Sequence, residues 1–171
     1  MKWIKNNLAN FLTIINLVCG VVSLYFTSME QFSLAVYFIL LGGLADMFDG
    51  KVARMTKTTS ELGKYLDSNS DLVTFGVAPS AIIYYSSLNN LDWYGAIPVI
   101  FFIICASYRL AKYNLASVKG FFIGIPTTFA GPLLALSYFL EDYLSAVVMA
   151  CITLLLGGLM ISKIKVRKAW F

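Results

Sequence analysis

The chain has 171 residues, of which 59% are hydrophobic and 13% are charged, and its formal net charge is +4. Soluble domains carry about twice that share of charged residues, so the composition excludes a soluble globular protein and indicates a single integral membrane domain over residues 1–171. The sequence contains no histidine, which removes imidazole as a base, phosphoryl carrier or metal ligand, and no nucleic-acid partner is expected.

The apolar runs of the sequence predict its helices. Residues 2–8 mix Trp3, Ile4 and Leu8 with lysines, a pattern that fits a short helix on the membrane surface or, equally, a frayed basic end. Six apolar runs follow, near residues 9–27, 32–50, 65–87, 93–112, 122–140 and 143–162. Each is close to the roughly 20 residues that a helix needs to cross a bilayer. We therefore expect an all-α integral membrane fold of six transmembrane helices, preceded by a short N-terminal interfacial helix.

The charges between these runs predict the orientation in the membrane. All thirteen Lys and Arg residues fall on one side of the six runs. They are Lys2, Lys5, Lys51, Arg54, Lys57, Lys64, Arg109, Lys112, Lys119, Lys163, Lys165, Arg167 and Lys168. The loops on the opposite side contain no Lys or Arg, and their charged residues are the acids Glu30, Asp92, Glu141 and Asp142. Because basic residues stay in the cytoplasm, both termini are predicted to be cytosolic, in a multi-pass protein of the cell membrane.

Four aspartates and an arginine interrupt the apolar pattern at the cytosolic ends of the second and third runs. Asp46 and Asp49 are three residues apart, and Asp67 and Asp71 are four apart, so each pair lies on one face of a helix. Carboxylates packed together in a membrane repel one another unless cations neutralise them, and such oxygen ligands suit Mg²⁺, Mn²⁺ or Ca²⁺. Arg54 adds a planar fork for phosphate oxygens. We expect a metal-binding cavity, open to the cytosol, whose substrate is a lipid that carries phosphates.

The spacing of these residues resembles a known family signature. The pattern Asp46-x2-Asp49-Gly50-x2-Ala53-Arg54-x8-Gly63-x3-Asp67-x3-Asp71 is similar, at all eight defined positions, to that of the CDP-alcohol phosphotransferases. The segments 10–16, 75–79, 109–114 and 122–126 resemble the phosphatidylserine synthase branch of this family. The resemblance extends from about residue 8 to about residue 140.

The resemblance implies transfer of a phosphatidyl-type group. The hydroxyl of L-serine would attack the lipid-side phosphorus of a CDP-lipid, CMP would leave, and phosphatidylserine or the archaeal ether-lipid equivalent would remain in the membrane. Two divalent cations, Mg²⁺ or Mn²⁺ and alternatively Ca²⁺, would be held by Asp46, Asp49, Asp67 and Asp71. Asp71 would also take the proton from the attacking hydroxyl. The resemblance also implies a homodimer.

Further residues are expected in the pocket for the CDP-lipid. They are Gly50, Arg54, Ser60, Asn10, Thr13 and Asn16. The first three follow from the resemblance, which has Ser60 at a position where relatives often have threonine. The last three lie three residues apart on one helix face, where they either hydrogen-bond a neighbouring helix or reach the nucleotide. The resemblance favours the nucleotide.

Three charged residues are candidates for binding the acceptor substrate. Arg109 and Lys112 end the fourth run on the cytosolic side, where basic residues serve either as membrane anchors or as ligands of the serine carboxylate or lipid phosphate. Glu61 either meets the serine ammonium group or is a solvated partner of a nearby lysine.

Three other functions are compatible with parts of this pattern. A sister enzyme of the same family would use glycerol 3-phosphate or an inositol phosphate as acceptor, which calls for extra basic residues in the cavity. A cation or proton transporter would also use four acids, but transporter sites lie near the bilayer midplane, and Arg54 would oppose the passage of a cation. A lipid or nucleotide binder without catalysis would not need the full set of acids.

Overall fold

The computed structural model describes residues 2–56, 61–115, 121–162 and 165–167. Within these ranges the chain is almost entirely helical. The α-helices are α1 Lys2–Ser28, α2 Phe32–Thr56, α3 Glu61–Asp71, α4 Ala78–Ser86, α5 Ala96–Leu115, α6 Thr127–Leu136 and α7 Ala146–Ile161. A π-helical segment, Leu72–Val77, joins α3 to α4, and 3-10 segments, Leu88–Gly95 and Ser137–Tyr143, precede α5 and follow α6.

One short antiparallel pair of strands accompanies the helices. Strand β1, Phe121–Ile123, pairs with strand β2, Lys165–Arg167, so that Phe122 lies opposite Val166. This pairing links the connection between α5 and α6 to the chain that follows α7. The apolar runs did not predict it, because three-residue strands carry too little periodicity to be recognised.

The prediction of an all-α membrane protein is confirmed. Three helical stretches in the described part of the chain are long and apolar enough to cross a bilayer: Asn10–Ser28, Phe32–Lys51 and Leu88–Leu115. Helix α7 is apolar but has only 16 residues. The third and fifth predicted spans are divided, since the acids and the π-helical segment interrupt one and α6 ends after 10 residues in the other. The count of six crossings therefore stays a prediction.

The expectation of a separate interfacial helix at residues 2–8 is wrong. Helix α1 runs without a break from Lys2 to Ser28. The first glycine of the chain is Gly20, and no proline precedes it, so nothing in residues 2–19 interrupts the backbone hydrogen bonds of a helix.

The helices converge on the π-helical segment, where Thr74 and Phe75 are fully buried. A Cβ atom at Gly42 of α2 would lie 2.7 Å from the Cγ2 atom of Thr74, and one at Gly20 of α1 would overlap the same side chain. On the opposite side, a Cβ atom at Gly131 of α6 would overlap the carbonyl oxygen of Phe75 and lie 2.7 Å from its Cα atom. Three helices thus approach this segment at the closest distance a backbone allows.

Apolar side chains fill the space on both sides of this segment. One cluster, around Phe75, Ile39 and Ile82, joins α2 to α4, and a second, around Phe102 and Met149, joins α5 to α7. The outer faces of the helices expose large apolar side chains instead of charges, among them Val18, Leu41, Ile104 and Leu155. Such faces are typical of helices that contact lipid.

Substituting Gly131 tests the close approach of α6. We expect Gly131→Ala to lower the stability by about 1–3 kcal/mol, because the methyl group would meet backbone atoms that cannot rotate away. Gly158→Ala is the matched control, since a Cβ atom at this glycine of α7 has nothing within 4 Å. Thermal unfolding of both variants in detergent measures the difference, and equal melting temperatures would contradict the packing described here.

Candidate active site

The two helix ends that carry the acids lie side by side. Asp46 and Asp49 belong to the second half of α2, and Asp67 and Asp71 to the second half of α3. Each of Asp46, Asp49 and Asp67 offers one carboxylate oxygen to a group in which all oxygens lie within 4.8 Å of one another. Asp49 and Asp71 are buried, each with 6% of its surface exposed. The structure thus brings together acids that are separated by up to 25 positions in the sequence.

Asp71 completes the cluster. Its carboxyl group interacts electrostatically with Asp46, Asp67 and Asp49. Carboxylates that interact in this way repel one another unless a proton or a cation reduces their charge.

The donor set fits a divalent cation. The ligands are hard carboxylate oxygens, which Mg²⁺, Mn²⁺ and Ca²⁺ prefer. Oxygens on opposite sides of such an ion lie about 4–5 Å apart, which agrees with the 4.8 Å limit of this cluster. The Oδ1 atom of Asp67 is buried and has no hydrogen-bond partner among the residues that the structure describes. A buried acceptor without a partner is costly, and a cation at this point would satisfy it.

Helix α1 contributes polar side chains to the same cluster. The Thr13 hydroxyl donates to Oδ2 of Asp49 at 2.8 Å, and the Asn16 amide donates to Oδ1 of Asp71 at 3.1 Å. Both side chains are buried, whereas Asn10, which begins the same stripe, is half-buried. The sequence left two possibilities for this stripe, a neighbouring helix or the nucleotide. The partners in the structure are acids of the neighbouring helices.

The remaining residues expected around the CDP-lipid are placed in part. Gly50 follows Asp49 in α2 and is half-buried. The backbone of Arg54 belongs to the last turns of the same helix, and its side chain lies outside what the structure describes. Ser60 lies outside the described residues altogether.

Arg109 of α5 interacts with the acid cluster at a distance. The guanidinium is half-buried, its Nη1 atom donates to the Thr127 hydroxyl at 3.0 Å, and it interacts electrostatically with Asp71. Its Nε atom is buried without a hydrogen-bond partner in the described part of the chain. Lys112 and Glu61, the other residues expected to bind the acceptor, are exposed, and no contact joins them to this cluster in the structure.

Sequence reasoning missed Thr127, which is fully buried beneath Arg109. A signal for it existed, because it begins α6 directly after Pro126, the last residue of the segment 122–126 that resembles the family. It also missed Asn114. The side-chain amide of this residue donates to the Ser68 hydroxyl at 2.8 Å, and its backbone carbonyl oxygen accepts from the ammonium group of Lys64. Asn114 ends a second such segment, and its contacts join the end of α5 to α3.

Comparison with known proteins assigns this site to a family. Residues 6–162 match the model of the CDP-alcohol phosphatidyltransferase family. The chain belongs to that family. The resemblance inferred from the eight signature positions is therefore confirmed at the level of the family, and the matched range includes the four acids described above.

Similar proteins within the family include both bacterial and archaeal members, all with the name CDP-diacylglycerol–serine O-phosphatidyltransferase. The chain is 38% identical to one from Bacillus subtilis over 94% of its own length and 89% of the relative. It is 37% identical to one from Methanocaldococcus jannaschii, over 94% of its own length and 74% of the relative. It is 34% identical to one from Helicobacter pylori, over 91% of its own length and 70% of the relative.

Removing one charge from the cluster tests whether it binds a cation. We expect Asp67→Asn to weaken Mn²⁺ binding by at least about tenfold, because an amide oxygen is a poorer ligand and the negative charge is lost. The signal of free Mn²⁺ in electron paramagnetic resonance measures this binding in the purified protein. Asp92→Asn is the control, since Asp92 is exposed on a 3-10 segment. Equal Mn²⁺ affinities in the two variants would argue against a metal site at Asp67.

Proposed function

We propose that this protein transfers a phosphatidyl-type group from a CDP-lipid to the hydroxyl of L-serine. The products are CMP and phosphatidylserine, or the ether-lipid equivalent. The observation that carries the proposal is the convergence of the four signature acids, Asp46, Asp49, Asp67 and Asp71, at one end of α2 and α3. The relatives at 34–38% identity, which are named as serine phosphatidyltransferases, support serine as the acceptor.

The reaction is a displacement at phosphorus. The serine oxygen forms a bond to the lipid-side phosphorus, the bond from that phosphorus to CMP breaks, and the hydroxyl proton passes to the Asp71 carboxylate. Divalent cations, when bound, neutralise the phosphate charges and make the phosphorus a better electrophile. Asp46, Asp49 and Asp67 would hold these cations. Because the chain has no histidine and Asp71 already interacts with the other acids, Asp71 is the base that the site offers.

The nucleotide half of the substrate would lie on the side of α2. In this proposal Gly50 lets the backbone approach the CDP group, Arg54 binds phosphate oxygens, and Ser60 and Asn10 complete the pocket. Support for Gly50 is its position directly after Asp49 in the cluster. Arg54, Ser60 and Asn10 rest on the family signature and the resemblance of α1.

The acceptor would lie between Asp71 and Arg109. The Nη1 atom of Arg109 is engaged by Thr127, and the buried Nε atom has no partner among the described residues, so the Nε–Nη2 edge is free for a second group. That edge matches a carboxylate in bidentate geometry. A serine carboxylate bound there would bring the serine hydroxyl toward Asp71. Lys112 and Glu61 stay in the proposal as exposed residues at the rim.

An acceptor panel tests the proposed reaction. Purified protein with a CDP-lipid and Mg²⁺ or Mn²⁺ should release CMP with L-serine at least about tenfold faster than with glycerol 3-phosphate or an inositol phosphate. A phosphorylated acceptor calls for several cations, and among the described residues Arg109 is the half-buried cation that interacts electrostatically with Asp71. CDP-diacylglycerol and a CDP-activated ether lipid are compared as donors. Faster CMP release with a phosphorylated alcohol would contradict serine as the acceptor and identify that alcohol as the substrate.

The same assay examines Arg109. Arg109→Gln should raise the KM for serine by about tenfold or more and leave the KM for the CDP-lipid nearly unchanged, since one bidentate ion pair is lost. Lys51→Gln removes an exposed positive charge elsewhere on α2 and serves as its control. An unchanged KM and rate with serine in Arg109→Gln would remove this residue from the acceptor site.

We also propose that the protein crosses the cell membrane several times with this site and both termini in the cytosol. The one-sided distribution of the thirteen basic residues supports it. After replacement of the three native cysteines, an impermeant maleimide added to intact cells should label Asn89→Cys but not Leu115→Cys. Both positions are exposed, at opposite ends of the segment that spans 88–115. The reverse labelling pattern would show that the protein has the opposite orientation.

We also propose that the protein is a homodimer, as the resemblance implies. Light scattering in detergent measures its mass, and the mass of a monomer would contradict this proposal.

A further inference from the structure

We infer that Thr13 and Asn16 of α1 are positioning residues, which fix the orientation of the Asp49 and Asp71 carboxylates instead of binding the nucleotide. This inference rests on the proposed function, because it assigns the two acids to cation binding and proton transfer. It differs from the prediction made from the sequence, which placed both residues in the pocket for the CDP-lipid.

Thr13 acts on Asp49. Its hydroxyl donates to Oδ2 of Asp49 at 2.8 Å, and only 5% of its surface is exposed. A hydroxyl carries a single proton, so this bond uses the only donor that Thr13 has. A carboxylate held at one oxygen cannot rotate freely, so this bond limits the directions in which Asp49 can present its oxygens to a cation. Such an outer contact orients a ligand and raises the affinity of a metal site.

Asn16 acts on Asp71 and is itself held on three sides. Its amide nitrogen donates to Oδ1 of Asp71 at 3.1 Å, its backbone oxygen accepts a bond of 2.9 Å from the Thr74 hydroxyl, and its side-chain oxygen packs against Gly42. A Cβ atom at Gly42 would lie 3.0 Å from that oxygen, so glycine leaves the space in which the amide sits.

The side-chain oxygen of Asn16 shows which way the amide must point. It is buried and has no hydrogen-bond partner among the described residues, which is unfavourable for a buried acceptor. Turning the amide by half a rotation would place this oxygen against the Asp71 carboxylate, where two acceptors repel. The amide therefore keeps its NH₂ group on Asp71 at the expense of its own oxygen. This bond fixes Oδ1 of Asp71, and in the proposed reaction Oδ2 is the oxygen that takes the hydroxyl proton.

Matched variants of α1 test this role by direct metal binding. We expect Thr13→Val and Asn16→Leu, which remove the donor at nearly constant volume, to weaken Mn²⁺ binding to the nucleotide-free protein by about 10–100-fold. Thr13→Ser should retain the wild-type affinity because it keeps the hydroxyl. Thr27→Val is the control, since Thr27 is a buried threonine of the same helix whose hydroxyl binds the backbone oxygen of Ser23.

Kinetics separate positioning from nucleotide binding. Asn16→Leu should lower kcat for serine-dependent CMP release by about 10–100-fold and change the KM for the CDP-lipid by less than about twofold. Unchanged Mn²⁺ affinity together with weakened CDP-lipid binding would overturn the inference in favour of a nucleotide contact. Unchanged values of both would overturn it as well.

Two further comparisons keep the test decisive. If Thr13→Val does not fold, Thr13→Ser against Thr13→Ala gives the same comparison with smaller side chains. If the wild-type protein binds Mn²⁺ but releases no CMP with any acceptor, the proposed function fails, while the Mn²⁺ affinities of the variants still decide whether Thr13 and Asn16 orient the acids.

Discussion

Repulsion among the four carboxylates is the constraint on which the rest of the structure depends. Like charges repel most strongly where water is scarce, and α2 and α3 hold Asp46, Asp49, Asp67 and Asp71 close enough to interact electrostatically. Helices left to themselves would separate such groups. The fold must therefore fix the two helices itself, and a bound cation would contribute further attraction.

The π-helical segment provides this fixed point. It begins directly after Asp71, and its buried residues Thr74 and Phe75 pack closely against glycines of α1, α2 and α6. A π-helical turn contains one residue more than an α-helical turn along the hydrogen-bonding path, and segments of this kind often occur beside functional sites. Here the wider turn places Thr74 against the backbone of Asn16, so the chain that follows Asp71 is joined to the residue that donates to the Asp71 carboxylate.

Much of this arrangement could be predicted from the sequence because it depends on spacing alone. The intervals within Asp46–Asp49 and Asp67–Asp71 determine that each pair shares a helix face, and the length of the apolar runs determines where helices can lie. The partners of Thr13 and Asn16 could not be predicted in this way. They depend on how α1 is rotated against its neighbours, and that rotation is set by contacts at Gly20 and Gly42 that no periodicity records.

The same distinction explains the residues that were missed. Thr127 becomes part of the site because Pro126 begins α6 at a point where Arg109 can reach it, and this meeting joins residues from helices separated by a loop. The continuity of α1 was missed for the opposite reason. Polar and apolar residues alternate in its first turns, which suggested a boundary, although the backbone has no residue that breaks a helix there.

The last helix supplies no acid and no donor to the reaction, yet it bears on where the amino acid would sit. The amide of Ile125 donates to the carbonyl oxygen of Leu159 near the end of α7, Gly124 makes the turn with a φ of 78°, and β2 pairs with β1 just beyond. These attachments fasten the entrance of α6, and with it Thr127, to the C-terminal end of the chain. The position of the hydroxyl that accepts from Arg109 thus depends on a helix that is remote from the four acids along the chain.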